Sequence, residues 1–228
     1  MSAGLGRLHI PDPRDHDHLI PLRRAAAREI TCRTWTDRSP VLDQGNTSEC
    51  TVHAGDKYLT LYPVCNVGFG SKAERTRVYK EVQKLDQWPG EDYDGTSVRA
   101  VFKYLQKVRG ALSGYQWAFS LEPAVNHILT TGPLVLGTNW YASMGSPDRW
   151  GYIWPGEGEE PEGHAYVGMG ANRLRKNPDG SMGAVRIINS WGDRWAQKGR
   201  AWMTFKVLAR LIEEDGEAGC GVEIKTAA

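Results

Sequence analysis

The stretch Gln44-Gly45-Asn46-Thr47-Ser48-Glu49-Cys50 places a side-chain amide six positions before a cysteine. Two later stretches, Gly163-His164-Ala165 and Asn189-Ser190-Trp191-Gly192, add an imidazole and a second amide in chain order. A thiol, an imidazole that takes its proton and an amide that orients the imidazole are the parts of a cysteine nucleophile site. The order of these residues therefore predicts nucleophilic chemistry at Cys50.

The predicted role of each residue follows from thiol chemistry. A cysteine attacks a carbonyl carbon as its thiolate, and a free thiol is mostly protonated at neutral pH. A helix N-terminus at Cys50 and proton transfer to His164 would both favour the thiolate. The Asn189 amide would hold the imidazole in one tautomer, and Trp191 would shield that hydrogen bond from water. The Gln44 amide and the Cys50 backbone N–H are the predicted donors to the oxyanion.

The composition of the 228-residue chain is that of a globular protein, with 40% hydrophobic and 24% charged residues. Its net charge of +1 gives no electrostatic reason to expect nucleic acid or an anionic membrane as a partner. No apolar run is long enough to span a membrane, and the N-terminus lacks the apolar segment of a signal peptide. We therefore expect a cytoplasmic protein, unless another route delivers it, and leave its oligomeric state open.

No metal ion and no cofactor is expected. The run Asp15-His16-Asp17-His18 carries metal-binding residue types, but no second cluster at a suitable spacing accompanies it. Besides Cys50, the chain has Cys32, Cys65 and Cys220, which are too few for a disulfide scaffold. We expect these three to be buried free cysteines in a reducing compartment.

The hydrophobic pattern changes along the chain and predicts an α+β fold. Residues 1–40 form a proline-rich extended arm, residues 41–131 a mainly helical lobe and residues 132–228 a mainly β lobe, all within one catalytic domain spanning residues 1–228. Helices are predicted from Ser48 onward, at 72–85, 97–108, 120–132 and 207–214, and strands at 133–140, 164–171, 184–189, 201–205 and 222–225.

These motifs together resemble the papain family of cysteine peptidases. Trp195 and Gly199 extend the match beyond the Asn189-Ser190-Trp191-Gly192 stretch, and the resemblance covers about residues 41–222. It implies a helical lobe that carries the cysteine, an antiparallel β-barrel-like lobe that carries the histidine, and an active site in the cleft between them. It also implies that Cys50 is the nucleophile, His164 the general acid/base, Asn189 the orienting residue and Gln44 the oxyanion donor.

The chain departs from the family around the nucleophile. Thr47 stands where the family has a disulfide-bonded cysteine, and Thr51 stands where it has a tryptophan. Glu49, directly before Cys50, would raise the pKa of the thiol if it pointed inward, so we expect it to face solvent.

The arm also departs from the family, because residues 1–40 are too short and too rich in proline for the helical pro-segment that blocks the cleft of secreted members. We expect the arm to pack on the lobes as structure. Short peptidases of bacteria and phages are the members that the chain resembles in this respect.

Substrate-binding residues are predicted from the same resemblance. Gly95 and Thr96 match the backbone wall that pairs with substrate, although an ordinary turn before a helix cap at Ser97 explains them equally well. Gly163 and Trp191 are further candidates. Glu162 lies where the family lines its main specificity pocket, and the alternative is a solvated loop residue. The Gly- and Pro-rich segment 141–163 is a candidate mobile flap at the edge of the cleft.

The leading hypothesis is a cysteine-type endopeptidase or peptide hydrolase that forms an acyl-enzyme on Cys50 and takes a peptide or protein as substrate. A thiol amidase or acyl transferase with the same triad is one alternative. A catalytically silent papain-like module that only binds peptides is the other, because Glu49 and Thr51 alter the surroundings of the thiol.

Overall fold

The structure is a computed structural model that describes residues 4–22 and 30–222. Its helices are α1 (Cys50–Thr60), α2 (Lys72–Gln83), α3 (Val98–Lys103), α4 (Leu121–Thr130) and α5 (Phe205–Glu213). A π-helical turn at Tyr104–Val108 continues α3, and short 3-10 turns lie at Pro13–His18 and Ala142–Gly145. Its strands are β1 (Cys32–Thr34), β2 (Gly114–Ala118), β3 (Leu134–Trp140), β4 (Glu162–Lys176), β5 (Met182–Ile188), β6 (Arg200–Thr204) and β7 (Glu217–Val222).

The strands form one antiparallel sheet in the order β2-β7-β3-β4-β5-β6, with β1 paired to β4. The predicted α+β class is confirmed. Sequence analysis missed β1 and β2, which are short, and began the last strand at residue 222, where β7 ends. The rest of that predicted strand, at 223–225, lies outside the described residues.

The long central strand β4 separates two hydrophobic cores. Ala165, Val167 and Met169 alternate along β4 and belong to the core that contains α1, α2 and α3. Tyr166 belongs to the other core, which contains α4, α5, β5 and β6. Because side chains alternate along a strand, β4 contributes side chains to both cores. The strand also packs against α1.

Helix α1 begins at Cys50 and packs against both β4 and α3. Its N-cap is Glu49, which makes no side-chain capping bond, and the helix begins two residues after its predicted start at Ser48. The helix is buried along almost its whole length, including Val52, Tyr58 and Leu59. Packing on both sides, rather than a cap, therefore fixes the position of its first residue.

A close contact between α1 and α3 depends on the absence of a side chain at Gly55, where a Cβ would overlap Val101 Cγ1. We expect Gly55→Ala to destabilise the fold, with overpacking of about 1–3 kcal/mol partly offset by the better helix propensity of alanine. In a Val101→Ala background, the destabilisation should shrink by at least about 1 kcal/mol. Urea unfolding of the four proteins in this cycle measures the coupling, and strictly additive effects would contradict the contact.

Within the segment 141–163, which was predicted as a mobile flap, residues 148–154 pack against β6. The Asp148 carboxylate accepts hydrogen bonds from the backbone of Trp150 and Tyr152 and from the Trp154 indole. Tyr152 is buried and forms a β-bridge with Trp202. Among the helices formed by the described residues, none is long and apolar enough to cross a membrane.

Candidate active site

Cys50 is the first residue of α1 and is completely buried. Its thiol lies within hydrogen-bonding reach of the backbone of Ala165, the residue that follows His164 on β4. The packing of α1 on β4 therefore brings the first and second sequence motifs together, and the N-terminal end of the helix dipole lies at the sulfur.

The imidazole of His164 is held by the Asn189 side chain. The two groups meet at 2.9 Å between Nε2 and Oδ1, and the Ser190 backbone N–H donates to the same Oδ1 at 2.8 Å. The hydrogen bond from the Ser190 N–H identifies this atom of Asn189 as the amide oxygen, which can only accept hydrogen bonds. His164 Nε2 must therefore be the donor and carry the proton. Nδ1 has no hydrogen-bond partner among the described residues and is the nitrogen able to take a proton.

Two tryptophans enclose the imidazole. The Trp191 ring stacks on His164 with centroids 4.9 Å apart and an interplanar angle of 27°, and the Trp140 ring meets it edge-on at 4.8 Å. This arrangement shields the hydrogen bond to Asn189 from water, as the sequence analysis predicted for Trp191.

The Gln44 side chain is oriented by a residue that sequence analysis did not single out. The Ser190 hydroxyl donates to Gln44 Oε1 at 2.6 Å, which turns the amide NH2 group toward the cleft. This NH2 group donates to the carbonyl oxygens of Thr47 at 2.7 Å and Gly4 at 3.2 Å. The Trp191 indole N–H also donates to the Gly4 carbonyl, at 3.3 Å. The only sequence signal for this role is that Ser190 follows Asn189.

The occupant of the cleft is the chain's own N-terminal segment, residues 4–8. The backbone N–H groups of Gly6 and Arg7 both donate to the Gly163 carbonyl at 3.0 Å. On the other side, Leu8 donates to the Thr96 carbonyl at 2.9 Å, and Thr96 donates to the Gly6 carbonyl at 2.9 Å. The predicted substrate-binding residues Thr96 and Gly163 thus bind a peptide backbone, which belongs to the arm.

Glycines on both sides make this close approach of two backbones feasible. A Cβ at Gly4 would overlap the Thr47 carbonyl oxygen, and one at Gly6 would overlap the Ser48 carbonyl oxygen. A Cβ at Gly163 would overlap the Arg7 carbonyl oxygen, and one at Gly95 would lie 2.5 Å from the Gly6 carbonyl oxygen. The expectation that the arm packs on the lobes as structure did not specify this position in the cleft, because small residues give no signal of the partner that they approach.

The turn at 95–97 is the ordinary turn and helix cap that the sequence allowed, while its role as a wall for substrate stays a prediction. Gly95 has a φ of +96°, which glycine adopts without strain, and the Ser97 hydroxyl accepts from Ala100 N–H as the cap of α3. The same turn presents the Thr96 backbone to the arm.

Burial in this arm-bound state keeps both reacting groups neutral at pH 7. Burial raises the pKa of the Cys50 thiol from its ordinary value of 9.0 to about 12, against the opposing effect of backbone hydrogen bonds from Ala165 and Thr51. Burial lowers the pKa of His164 to about 4, although its hydrogen bond with Asn189 acts in the opposite direction. The thiolate–imidazolium pair is therefore disfavoured while residues 4–8 cover the site.

The expectation that Glu49 faces solvent is wrong. Its side chain is buried, and its Oε2 lies 4.0 Å from Nδ1 of His53, one turn along α1. Burial lowers the pKa of His53 to about 4, so this contact joins a neutral ring to the carboxyl group at pH 7. The tight packing of α1 overrides the usual preference of a carboxylate for water. Thr51 is completely buried as well.

Glu162 is exposed, which agrees with the alternative of a solvated residue, although it begins β4 and does not lie in a loop. The buried carboxylate beside the cleft belongs to Glu217 on β7. The expectation that the three other cysteines are all buried needs correction. Cys32 and Cys65 are exposed free cysteines, whereas Cys220 is buried as expected. Sequence analysis missed Glu217, because a single glutamate near a chain end resembles any surface residue.

Comparison with solved structures finds papain-like cysteine proteases. Xylellain, a cysteine protease from Xylella fastidiosa, matches with a TM-score of 0.74 and 19% identity over 99% of this chain and 97% of its own. Digestive procathepsin L2 from the larval midgut of Tenebrio molitor matches with a TM-score of 0.66 and 17% identity over 96% of this chain and 78% of its own. Bromelain protease from Ananas comosus, in complex with the E64 inhibitor, matches with a TM-score of 0.57 and 14% identity over 84% of this chain and 98% of its own.

No protein-family model and no curated protein sequence matches the chain. The structural matches extend over nearly the whole of this chain and of xylellain, and the motif order agrees with them. The chain therefore has the fold of the papain-like cysteine proteases.

Proposed function

We propose that this protein is a cysteine peptidase that acts through Cys50 and is latent while residues 4–8 occupy its cleft. The observation that carries the proposal is the position of the Gly4 carbonyl, which accepts hydrogen bonds from Gln44 Nε2 and Trp191 Nε1. A peptide carbonyl thus lies at donors suited to an oxyanion, in a cleft whose two walls bind peptide backbone.

The proposed reaction begins when a substrate peptide replaces the arm. His164 Nδ1 takes the Cys50 proton, the sulfur attacks the carbonyl carbon, and the carbonyl oxygen becomes an oxyanion. Gln44 Nε2 and the Cys50 backbone N–H stabilise this oxyanion. The intermediate collapses to a thioester as His164 returns the proton to the departing amine. A water molecule, deprotonated by His164, then hydrolyses the thioester and regenerates the thiol.

Peptide chemistry is favoured over the other thiol reactions by the walls of the cleft. Thr96 and Gly163 offer a backbone N–H and carbonyl groups, which pair with an extended chain rather than with an isolated amide. The silent peptide-binding alternative draws on the same contacts and on the buried Glu49. A measurement of the reactivity of the Cys50 thiol is therefore needed to distinguish a peptidase from a silent peptide-binding module.

The direct test is to map an epoxysuccinyl thiol probe on the arm-displaced variant, defined as the full chain with Gly4→Ala and Gly6→Ala. We expect labelling of Cys50 in preference to the exposed Cys32 and Cys65, because Cys50 begins α1 and its thiol meets the backbone of Ala165, the residue that follows the proposed base His164. Peptide mass spectrometry locates the adduct. Labelling of Cys32 and Cys65 with Cys50 left unmodified would support the silent peptide-binding module instead.

A further inference from the structure

The Arg7 side chain of the arm lies in a pocket beneath the cleft. Its Nε lies 3.3 Å from Glu217 Oε1, and its Nη2 donates to the Asp215 carbonyl at 2.8 Å. Only 3% of the Arg7 side chain is exposed, a small value for a guanidinium in an N-terminal arm. The backbone of residues 4–8 therefore runs along the cleft while this side chain leaves it for a buried carboxylate.

The sheet builds this pocket from three adjacent strands. Gly137 on β3 pairs directly with Ala165 on β4 and with Glu217 on β7. Directly paired residues of antiparallel strands point to the same face, so a small side chain, a glycine and a carboxylate form one row. A Cβ at Gly137 would lie 2.6 Å from Arg7 Nε and 2.8 Å from Val98 Cγ2. The glycine thus leaves the space through which a long side chain reaches Glu217.

Glu217 depends on the arm for its charge partners. It is 1% exposed, and its Oε1 contacts His9 Nδ1 as well as Arg7 Nε, each at 3.3 Å. Burial alone would raise the pKa of Glu217, but the hydrogen bond with His9 and the Arg7 charge outweigh it, and the net shift is downward. When the arm leaves, Glu217 loses both partners, and a replacement peptide that covers the carboxylate without supplying a positive charge buries it unpaired, which is unfavourable.

We infer that Glu217 makes this pocket selective for an arginine side chain of the peptide that replaces the arm, and that Arg7 is its internal occupant. The inference rests on the proposed function, because it names the substrate class of the same cleft. Arginine is favoured over lysine, because a guanidinium reaches the Glu217 carboxylate and the Asp215 carbonyl simultaneously. Glu217, rather than Glu162, is then the residue that sets the preference for a basic side chain.

Peptide binding tests the inference without requiring turnover. The protein is the arm-displaced variant with Cys50→Ala added, and the probe is fluorescein-labelled Gly-Leu-Gly-Arg-Leu-His, the sequence of residues 4–9. Two further probes replace the arginine with citrulline, which keeps the shape and loses the charge, or with leucine. Fluorescence anisotropy gives the dissociation constants. We expect the arginine peptide to bind at least about tenfold tighter than the citrulline peptide, because the citrulline leaves the buried carboxylate unpaired.

The variant Glu217→Gln, measured with the same peptides, should reduce the preference for arginine over citrulline to less than about threefold, because the side chain keeps its shape without its charge. If Glu217→Gln does not fold, the comparison of the arginine and citrulline peptides on the protein that retains Glu217 is sufficient to test the inference. Equal binding of the arginine and citrulline peptides, or no binding of either, overturns the inference. Failure of the proposed function is distinguishable from failure of this inference. In the former case the epoxysuccinyl probe leaves Cys50 unlabelled, whether or not the peptides bind.

Discussion

Replacing Gly4 and Gly6 with alanine raises the rate at which iodoacetamide alkylates Cys50 at pH 7 by at least about 30-fold. A thiol pKa that falls from about 12 to its ordinary 9.0 gives roughly 1000-fold more thiolate, one factor of ten for each pH unit. The lower basicity of that thiolate removes part of the gain, at a Brønsted coefficient of about 0.4–0.5, and leaves roughly 30–60-fold. Entry of the reagent into the uncovered cleft adds to this factor.

The pH dependence of the same reaction provides a second measurement. In the unmodified protein the rate of Cys50 alkylation should continue to rise through pH 10, because a thiol pKa of about 12 keeps most of the thiol protonated at that pH. In the arm-displaced variant the rate should level off at lower pH, as the thiol regains solvent and His164 as a base. Mass spectrometry at Cys50 separates this reaction from alkylation of the exposed Cys32 and Cys65.

The matched control is Gly145→Ala, since a Cβ at Gly145 meets nothing within 4 Å. We expect this protein to react like the unmodified chain. If the arm-displaced variant shows the same rate and pH profile as Gly145→Ala, the arm does not control access to the thiol. The substituted residues belong to the arm alone, so the groups that carry out the chemistry remain unchanged.

The local parts of the candidate site can be predicted from the sequence, because each part lies within a short motif. The Gln44-to-Cys50 spacing, a helix that starts near Cys50 and the adjacency of Asn189 to Ser190 are visible without a structure. The α+β class could also be predicted, because strands such as β4 alternate apolar residues with a period of two and helices place them on a stripe with a period of about 3.6.

The contacts that cross the cleft could not be predicted in this way. Gly4 and Gly6 resemble residues of any flexible terminus, and their role arises from the approach of carbonyl groups at Thr47 and Ser48. Glu217 is separated from Arg7 by nearly the whole chain, and neither residue has a motif. Glu49 was expected in water because charged side chains usually remain there, but packing around α1 overrides this preference. Long-range packing of this kind leaves no periodic signal in the sequence.

In the arm-displaced variant, His164→Ala is expected to lower kcat/KM for a peptide substrate by roughly 10³- to 10⁴-fold, the loss typical of a general base in a catalytic triad. Without the imidazole, neither deprotonation of Cys50 nor protonation of the departing amine has a donor or acceptor at hand. Asn189→Ala should cause a smaller loss, because the ring remains but the 2.9 Å hydrogen bond that selects its tautomer is gone.

The exposed His18, replaced by alanine, provides a histidine control that should retain full activity. Steady-state hydrolysis of a fluorogenic peptide measures all three, and a His164→Ala protein as active as its parent would exclude His164 as the base. A graded series, with Asn189→Ala between the parent and His164→Ala, would instead tie the rate to the nitrogen of His164 that Asn189 leaves free.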